Sequence, residues 1–301
     1  MSPIALLTDE QWSFQLTRRP IGTGLGVRVG IIDTGACKNH PNLSVHAGRN
    51  LILGESVDDW WNDISGHGTH VTGIIKARPT DHCYYRGYAP DADVFVYRVF
   101  GGADGDGYGS TINKAIRQAI ADQCDIINFS LGFEKPMEST RIKLEAARMS
   151  GVCSVAAAGN HGKSVEYPAA FSETLAVTAI VRFGTYPGDS LHCMYETSLL
   201  STDGQLYVPK FSCHGPEIAL AAPGVGVVST VPDDGFAAMD GTSMACPHIA
   251  GIAAALLSED VTTLVSTRDI IRAEAIEQLV MSTAVDVGFP SSVQGAGVPQ
   301  L

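Results

Sequence analysis

A chain of 301 residues with 45% hydrophobic content can bury a substantial core, and one domain spanning 1–301 accounts for it. A charged fraction of 17% and a formal net charge of −12 disfavour attraction to nucleic acid phosphates or anionic lipid, so neither nucleic acid nor membrane is expected as a partner. There is no apolar run of about 18 residues, and "MSPIALLTDEQWSF" lacks a basic segment followed by an apolar stretch, so the expectation is a soluble monomer with a cytoplasmic address, or a secreted one if a leader was removed.

Short β-branched runs, several ending in glycine or a polar residue, recur along the chain: "VRVGIID" (27–33), "DVFVYRVF" (93–100), "DIINFSLG" (125–132), "CSVAAAGN" (153–160) and "TLAVTAIV" (174–181). Between them, 109–124 and 138–151 space apolar residues by three and four, the second stopped by Gly151. Strands alternating with amphipathic helices predict an α/β fold, three-layer, with a mostly parallel β-sheet and helices on both faces. Residues 183–210 carry turn residues without a helical period and read as a surface excursion, in the manner of a β-hairpin; 259–284 read as closing helices.

In such sheets ligands gather beyond the carboxyl ends of the strands, which directs attention to Asp33, Ser130, Asn160 and the stretch around Ser243. Ser243 opens "SMACPHIAGIAAALLS", where a serine reads either as a helix N-cap or as a nucleophile served by helix-start N–H groups. A serine nucleophile needs a base and a group orienting that base. His67 lies between two glycines in "SGHGTHVTGII"; His70 follows three residues later, without the glutamate and spacing of a zinc protease. Asp33 ends an apolar strand, as a turn former or as the partner of a histidine N–H. The glycines of "GTGLG" precede this strand, which disfavours a dinucleotide fingerprint. Asn160 closes "AAAGN", as a turn residue or as a donor to a developing oxyanion.

Taken together and in this order, "IIDTG", "HGTHVTG", "AAAGN" and "GTSMACPHIAG" closely resemble the four signature blocks of the subtilases, the subtilisin-like serine endopeptidases, over roughly residues 20 to 300. An α/β-hydrolase would instead show GxSxG and the order Ser, Asp, His. The resemblance implies that Asp33 orients His67, that His67 takes the Ser243 proton and later gives it to the leaving amine, and that Asn160 with the Ser243 N–H holds the oxyanion. It implies a peptide or protein substrate bound as an extended strand between Ser130–Gly132 and the loop 102–109, with Gly107 and Tyr108 beside the residue four before the cut; packing within the loop is the other reading of Tyr108. The pocket for the residue just before the cut would be lined by Ser130, Leu131, Gly132, Ala157 and Gly159, with Glu166 at its base. A carboxylate there favours Lys or Arg, unless Glu166 is a solvated loop residue.

The family's strong calcium site commonly uses an acidic residue shortly after the catalytic Asp and an asparagine-rich loop after the His helix. Here Asn42 stands at the first position and 76–88 holds no asparagine run, so no cofactor is required and at most weak Ca²⁺ binding is expected. Seven cysteines without CxxC spacing indicate reduced thiols, although Cys193 and Cys213 could pair across a loop. Cys37 and Cys246 lie close to Asp33 and Ser243 and would either sensitise activity to thiol reagents or act as small buried hydrophobes. No inhibitory pro-region is visible before the domain, and "DDWWND" (58–63) with the excursion would narrow the cleft. The resulting expectation is an endopeptidase acting through an acyl-enzyme, selective for Lys or Arg, in the role of a leader-removing maturation protease. A peptide macrocyclase or ligase and a catalytically idle peptide-binding pseudoprotease are the alternatives.

Overall fold

The structure is a computed structural model that describes residues 11–101, 108–186 and 191–301, the side chain of Tyr108 excepted. In chain order the elements are α1 (Trp12–Thr17), β1 (Arg28–Asp33), β2 (Ala47–Asn50), α2 (His67–Lys76), β3 (Asp93–Arg98), α3 (Tyr108–Ala121), β4 (Ile126–Phe129), α4 (Glu138–Met149), β5 (Cys153–Ala157) and β6 (Leu175–Arg182). There follow β7 (Leu206–Tyr207), β8 (Ile218–Pro223), β9 (Val227–Val231), β10 (Gly235–Met239), α5 (Thr242–Glu259), α6 (Val261–Leu264), α7 (Ile270–Met281), β11 (Ala284–Val285), α8 (Ser291–Gln294) and β12 (Val298–Pro299).

The main sheet runs β2-β3-β1-β4-β5-β6 with every pair parallel; β8 adds parallel to β6, and β7 pairs antiparallel with the end of β6. Alternation along the strands feeds two cores. Val29, Ile31, Val94, Val96, Ile126, Val155 and Ala157 pack against Val71 and Ile74 of α2, most of α5, and Ile276 of α7. Ile32, Phe95, Tyr97, Ile127, Phe129 and Ala156 face the other way, onto Ile112 and Ile116 of α3 and Leu144 of α4. Because both faces are covered, the strands read as nearly continuous apolar runs, which made them recognisable.

The strands end earlier than the apolar and small-residue runs suggested. β3 stops at Arg98, β4 at Phe129 and β5 at Ala157, and the overhanging residues, Ser130–Gly132 and Ala158–Asn160, are free to turn toward a ligand. The excursion after β6 returns as β7, with Val181 opposite Tyr207 and a further bridge from Leu200 to Tyr207, so a hairpin-like return is present. Strand β8 and the β9–β10 hairpin were not anticipated. That hairpin closes through the three residues Pro232, Asp233 and Asp234, the last two at positive φ (61° and 57°).

The start of β4 is tied to α7 through a buried charge. Asp125 accepts from the Arg28 backbone N–H (2.7 Å), from Arg268 (2.7 Å) and from the buried guanidinium of Arg272 (2.8 Å). Removing the carboxylate leaves the buried Arg272 with only the Gly151 and Leu264 carbonyls and no counter-charge, so Asp125→Ala is expected to lower the unfolding free energy by about 3–5 kcal/mol in urea denaturation. A loss below about 1 kcal/mol, the value of an exposed pair, would show that the guanidinium is not confined as described.

Candidate active site

Register alone places the candidate residues in a row. Ile32 pairs with Phe129 and Phe129 with Ala156, so the next residues along, Asp33, Ser130 and Ala157, stand side by side at the carboxyl edge of three adjacent strands. Here the order of connection reverses about β1, the position where parallel sheets open a crevice.

Asp33 is 1% exposed, and its Oδ1 accepts from the Thr34 backbone N–H and from His67 Nδ1, both at 2.7 Å. His67 is the first residue of α2, and the orphan N–H groups of that helix start are met from outside it. His67 N donates to Ser65 Oγ (3.1 Å), Gly68 N to Thr34 Oγ1 (2.8 Å), and Thr69 N to Asp63 Oδ2 (2.7 Å). Gly68 lies so near the Gly35 carbonyl that a Cβ would collide with it, which explains the glycine directly after the histidine.

Asp63 escaped the sequence reading, which treated 58–63 only as a wall of the cleft. Its buried carboxylate accepts from Thr34 Oγ1 (2.8 Å), Gly66 N (3.0 Å), Thr69 N (2.7 Å) and Thr69 Oγ1 (2.5 Å). An acid just before a helix is a recognised helix-start signal, and that signal was present. Burial pulls the His67 pKa down, but the Asp33 charge and hydrogen bond, with the Asp63 charge behind them, outweigh it and leave the pKa raised. His70, by contrast, is structural: its Nε2 faces the Val227 and Ala237 carbonyls (2.9 and 3.0 Å), and burial lowers its pKa to about 3.

Ser243 does not cap its helix. The residue before α5 is Gly241, and Ser243, second in the helix, turns its hydroxyl to the Ser130 carbonyl (3.2 Å). Pro247, beyond the first turn, has no N–H for the Ser243 carbonyl four residues back. Ser130 Oγ donates to that carbonyl instead, at 2.8 Å. Asn160 Oδ1 accepts from Thr242 N (2.9 Å) and Thr242 Oγ1 (3.0 Å), which assigns the amide and leaves Nδ2 as its donor. A Cβ placed on Gly241 (φ 150°) would lie 3.4 Å from Asn160 Nδ2 and 3.6 Å from Ser243 N, so the two donors border one small space.

Beside this space the Glu166 side chain runs between Gly132 and Gly159; a Cβ on Gly159 would come within 2.5 Å of its Cδ, and one on Gly132 would strike Oε2. Its carboxylate is 11% exposed and bonded to His161 Nδ1, so it is not a solvated loop residue. Leu131 is buried, and Phe133 and Tyr167 exchange backbone hydrogen bonds (2.7 and 2.9 Å) that hold the two sides of the pocket together. His161 was also missed, because only closure of the loop brings it to Glu166.

The family profile of the subtilases matches residues 24–297. The chain belongs to the subtilase family. It is 35% identical to subtilisin DY of Bacillus licheniformis over 272 residues, covering 88% of this chain and 86% of that protein. It is 34% identical to a thermostable alkaline protease of Halalkalibacterium halodurans (89% of this chain, 64% of that protein) and 36% identical to subtilisin E of Bacillus subtilis (80% and 58%). The chain thus spans less than two thirds of the latter two relatives. This subtilase is a serine protease, a hydrolase acting on peptide or protein substrates.

Gly107 and most of the loop 102–109 lie outside the described residues, as does the Tyr108 side chain, although Tyr108 itself begins α3. The calcium position fits a cation poorly. Asn42 Nδ2 donates to the Arg78 carbonyl (2.7 Å), and the nearby buried Lys76 amine bonds the Ala92 carbonyl (2.5 Å) with a pKa lowered by burial to about 8. Among the described residues no three His, Cys, Asp or Glu side chains converge. None of the seven cysteines, all among the described residues, is joined in a disulfide, so Cys193 and Cys213 do not pair with each other; Cys246 is buried against Asn128 Oδ1 (3.1 Å), and burial pushes its thiol pKa up, which makes it inert rather than reactive. From the excursion, His192 Nδ1 reaches Asp240 Oδ2 (2.7 Å), three residues before Ser243.

Because Asp63 holds part of the charge that favours the imidazolium, Asp63→Asn should lower the His67 pKa, followed by NMR of the imidazole carbon-bound proton. An unchanged titration would reduce Asp63 to a cap.

Proposed function

We propose that Asp33, His67 and Ser243 form the catalytic triad of an endopeptidase acting through an acyl-enzyme. The 2.7 Å bond from His67 Nδ1 to the buried Asp33 carries this reading, because it keeps the proton on Nδ1 and leaves Nε2 as the base. The Ser243 hydroxyl turns from the Ser130 carbonyl toward Nε2 and gives up its proton as Oγ attacks the substrate carbonyl carbon. Asn160 Nδ2 and Ser243 N donate to the oxyanion. Collapse breaks the amide bond, with the proton passing from His67 to the leaving amine. Water then repeats the sequence on the ester and restores Ser243.

The substrate chain lies extended along Ser130–Gly132. The residue before the cut reaches toward the Glu166 carboxylate that fills the space between Gly132 and Gly159, and this largely buried charge favours Lys or Arg by a charge-assisted hydrogen bond. Selectivity of this kind, with the excursion docked on Asp240, suits a maturation protease that removes a leader from a peptide. A secreted address, reached after loss of a leader and pro-region, is consistent with the family; the cytoplasmic expectation draws nothing from it. No observation favours the ligase or pseudoprotease alternatives over hydrolysis.

A fluorophosphonate should label the protein and fail to label Ser243→Ala; equal labelling would remove Ser243 from the role of nucleophile. In cleavage profiling, Glu166→Gln should lose the preference for Lys and Arg over Phe and Leu by about tenfold or more, the value of one charge-assisted contact. An unaltered preference would defeat the assignment of Glu166.

A further inference from the structure

The Glu166 carboxylate already has a partner that is cationic when protonated. It is 11% exposed, its Oε1 takes His161 Nδ1, and the imidazole is 63% exposed. The two side chains border a cleft of about 290 Å³ that is also lined by Glu134 and Lys163. A carboxylate so far removed from water stays paired with whichever cation is at hand, whereas an exposed imidazolium released from it is at once hydrated.

We propose that His161 is a specificity-determining residue: its imidazolium competes with the substrate's Lys or Arg for Glu166, so that selectivity for a basic residue before the cut rises as His161 loses its proton. The proposal rests on the reading of Glu166 as the base of that pocket. The charges facing the pair are few. Glu134 and Glu166 carry one negative charge each and Lys163 one positive, so the cleft holds a net −1 with His161 neutral and zero with it protonated. Around it, Cys213 Sγ is 4.0 Å from Glu166 Oε1, His214 meets Lys163 through its backbone, and Glu217 sits beside Gly215 and Val165. The hydrogen bond to Glu166 and then its charge raise the His161 pKa, with Glu134 assisting and Lys163 opposing. By reciprocity, the proton on His161 weakens binding of a second cation at Glu166 by the same factor by which that bound cation weakens the hold on the proton.

The test is the ratio of kcat/KM for matched peptides with Lys or Gln before the cut, from about pH 5.5 to about pH 9. Titration of His67 cancels in this ratio, and the substrate amine stays charged throughout. In the wild type the ratio should climb about fivefold or more with pH. In His161→Gln it should be high already at the acid end and flat, and in Glu166→Gln low and flat. A flat wild-type ratio that Glu166→Gln still lowers, or a pH rise that survives in His161→Gln, overturns the role of His161 while leaving Glu166 in place. A ratio untouched by Glu166→Gln overturns the reading of the pocket itself.

Discussion

The site depends on keeping one carboxylate charged where water hardly reaches. Asp33 ends the central strand of a sheet covered on both faces, and such a charge costs several kcal/mol unless donors meet it. Its own turn supplies the Thr34 N–H, and the remaining partner has to come from another element. That partner is His67, and bringing it within 2.7 Å requires the start of α2 to press onto the Gly35 backbone. Gly35 (φ 117°) and Gly68 permit that approach, and Asp63 with Thr34 and Ser65 then takes up the helix-start donors that the approach leaves without water. A second buried carboxylate therefore follows from the first, favoured by the positive end of the helix dipole.

The serine end is fixed by a different shortage. Pro247 deprives the Ser243 carbonyl of its helical donor, and Ser130 Oγ fills the gap. That hydroxyl in turn accepts from Asn128 Nδ2 (2.9 Å), whose Oδ1 takes the Cys246 thiol, so β4 and α5 are joined by a continuous buried chain. Together with the Ser243 hydroxyl on the Ser130 carbonyl, this sets the serine over the strand next to Asp33 without any contact to substrate.

How much of this could be read in advance varies with the distance over which each feature is encoded. The five central strands were legible because burial on both faces writes itself as apolar runs, but their ends were not, since the overhang depends on where neighbouring strands stop pairing. Asp33, His67, Asn160 and Ser243 each sit in a compact local pattern. The freed Ser243 carbonyl could be inferred from a proline four residues on, yet its donor lies 113 residues away and no local pattern names it. Asp63 was legible as a helix-start acid and was passed over in favour of its tryptophan neighbours. Trp60 in fact packs on Gly48, and Trp61 is stacked by Lys38 at 4.4 Å.

The histidines show that pairing chemistry does not by itself assign a role; burial decides which partner keeps the proton and whether it can leave. His70 and His248 are sealed in the core and held neutral by desolvation, their pKa values lowered to about 3 and about 4, so each is a fixed hydrogen-bonding strut. His67 and His161 each face a carboxylate, but in the first pair the acid is 1% exposed and the imidazole 30%, with the helix bearing it fastened on every orphan donor. Such an imidazole can pass a proton but cannot move away. In the second pair the imidazole is 63% exposed on a loop, and nothing beyond Glu166 holds its ring among the hydrogen bonds of the described residues. The same two functional groups are thus held rigidly in one pair and loosely in the other, as the proposed roles of proton carrier and displaceable counter-ion require, and the difference lies in the backbone that presents them.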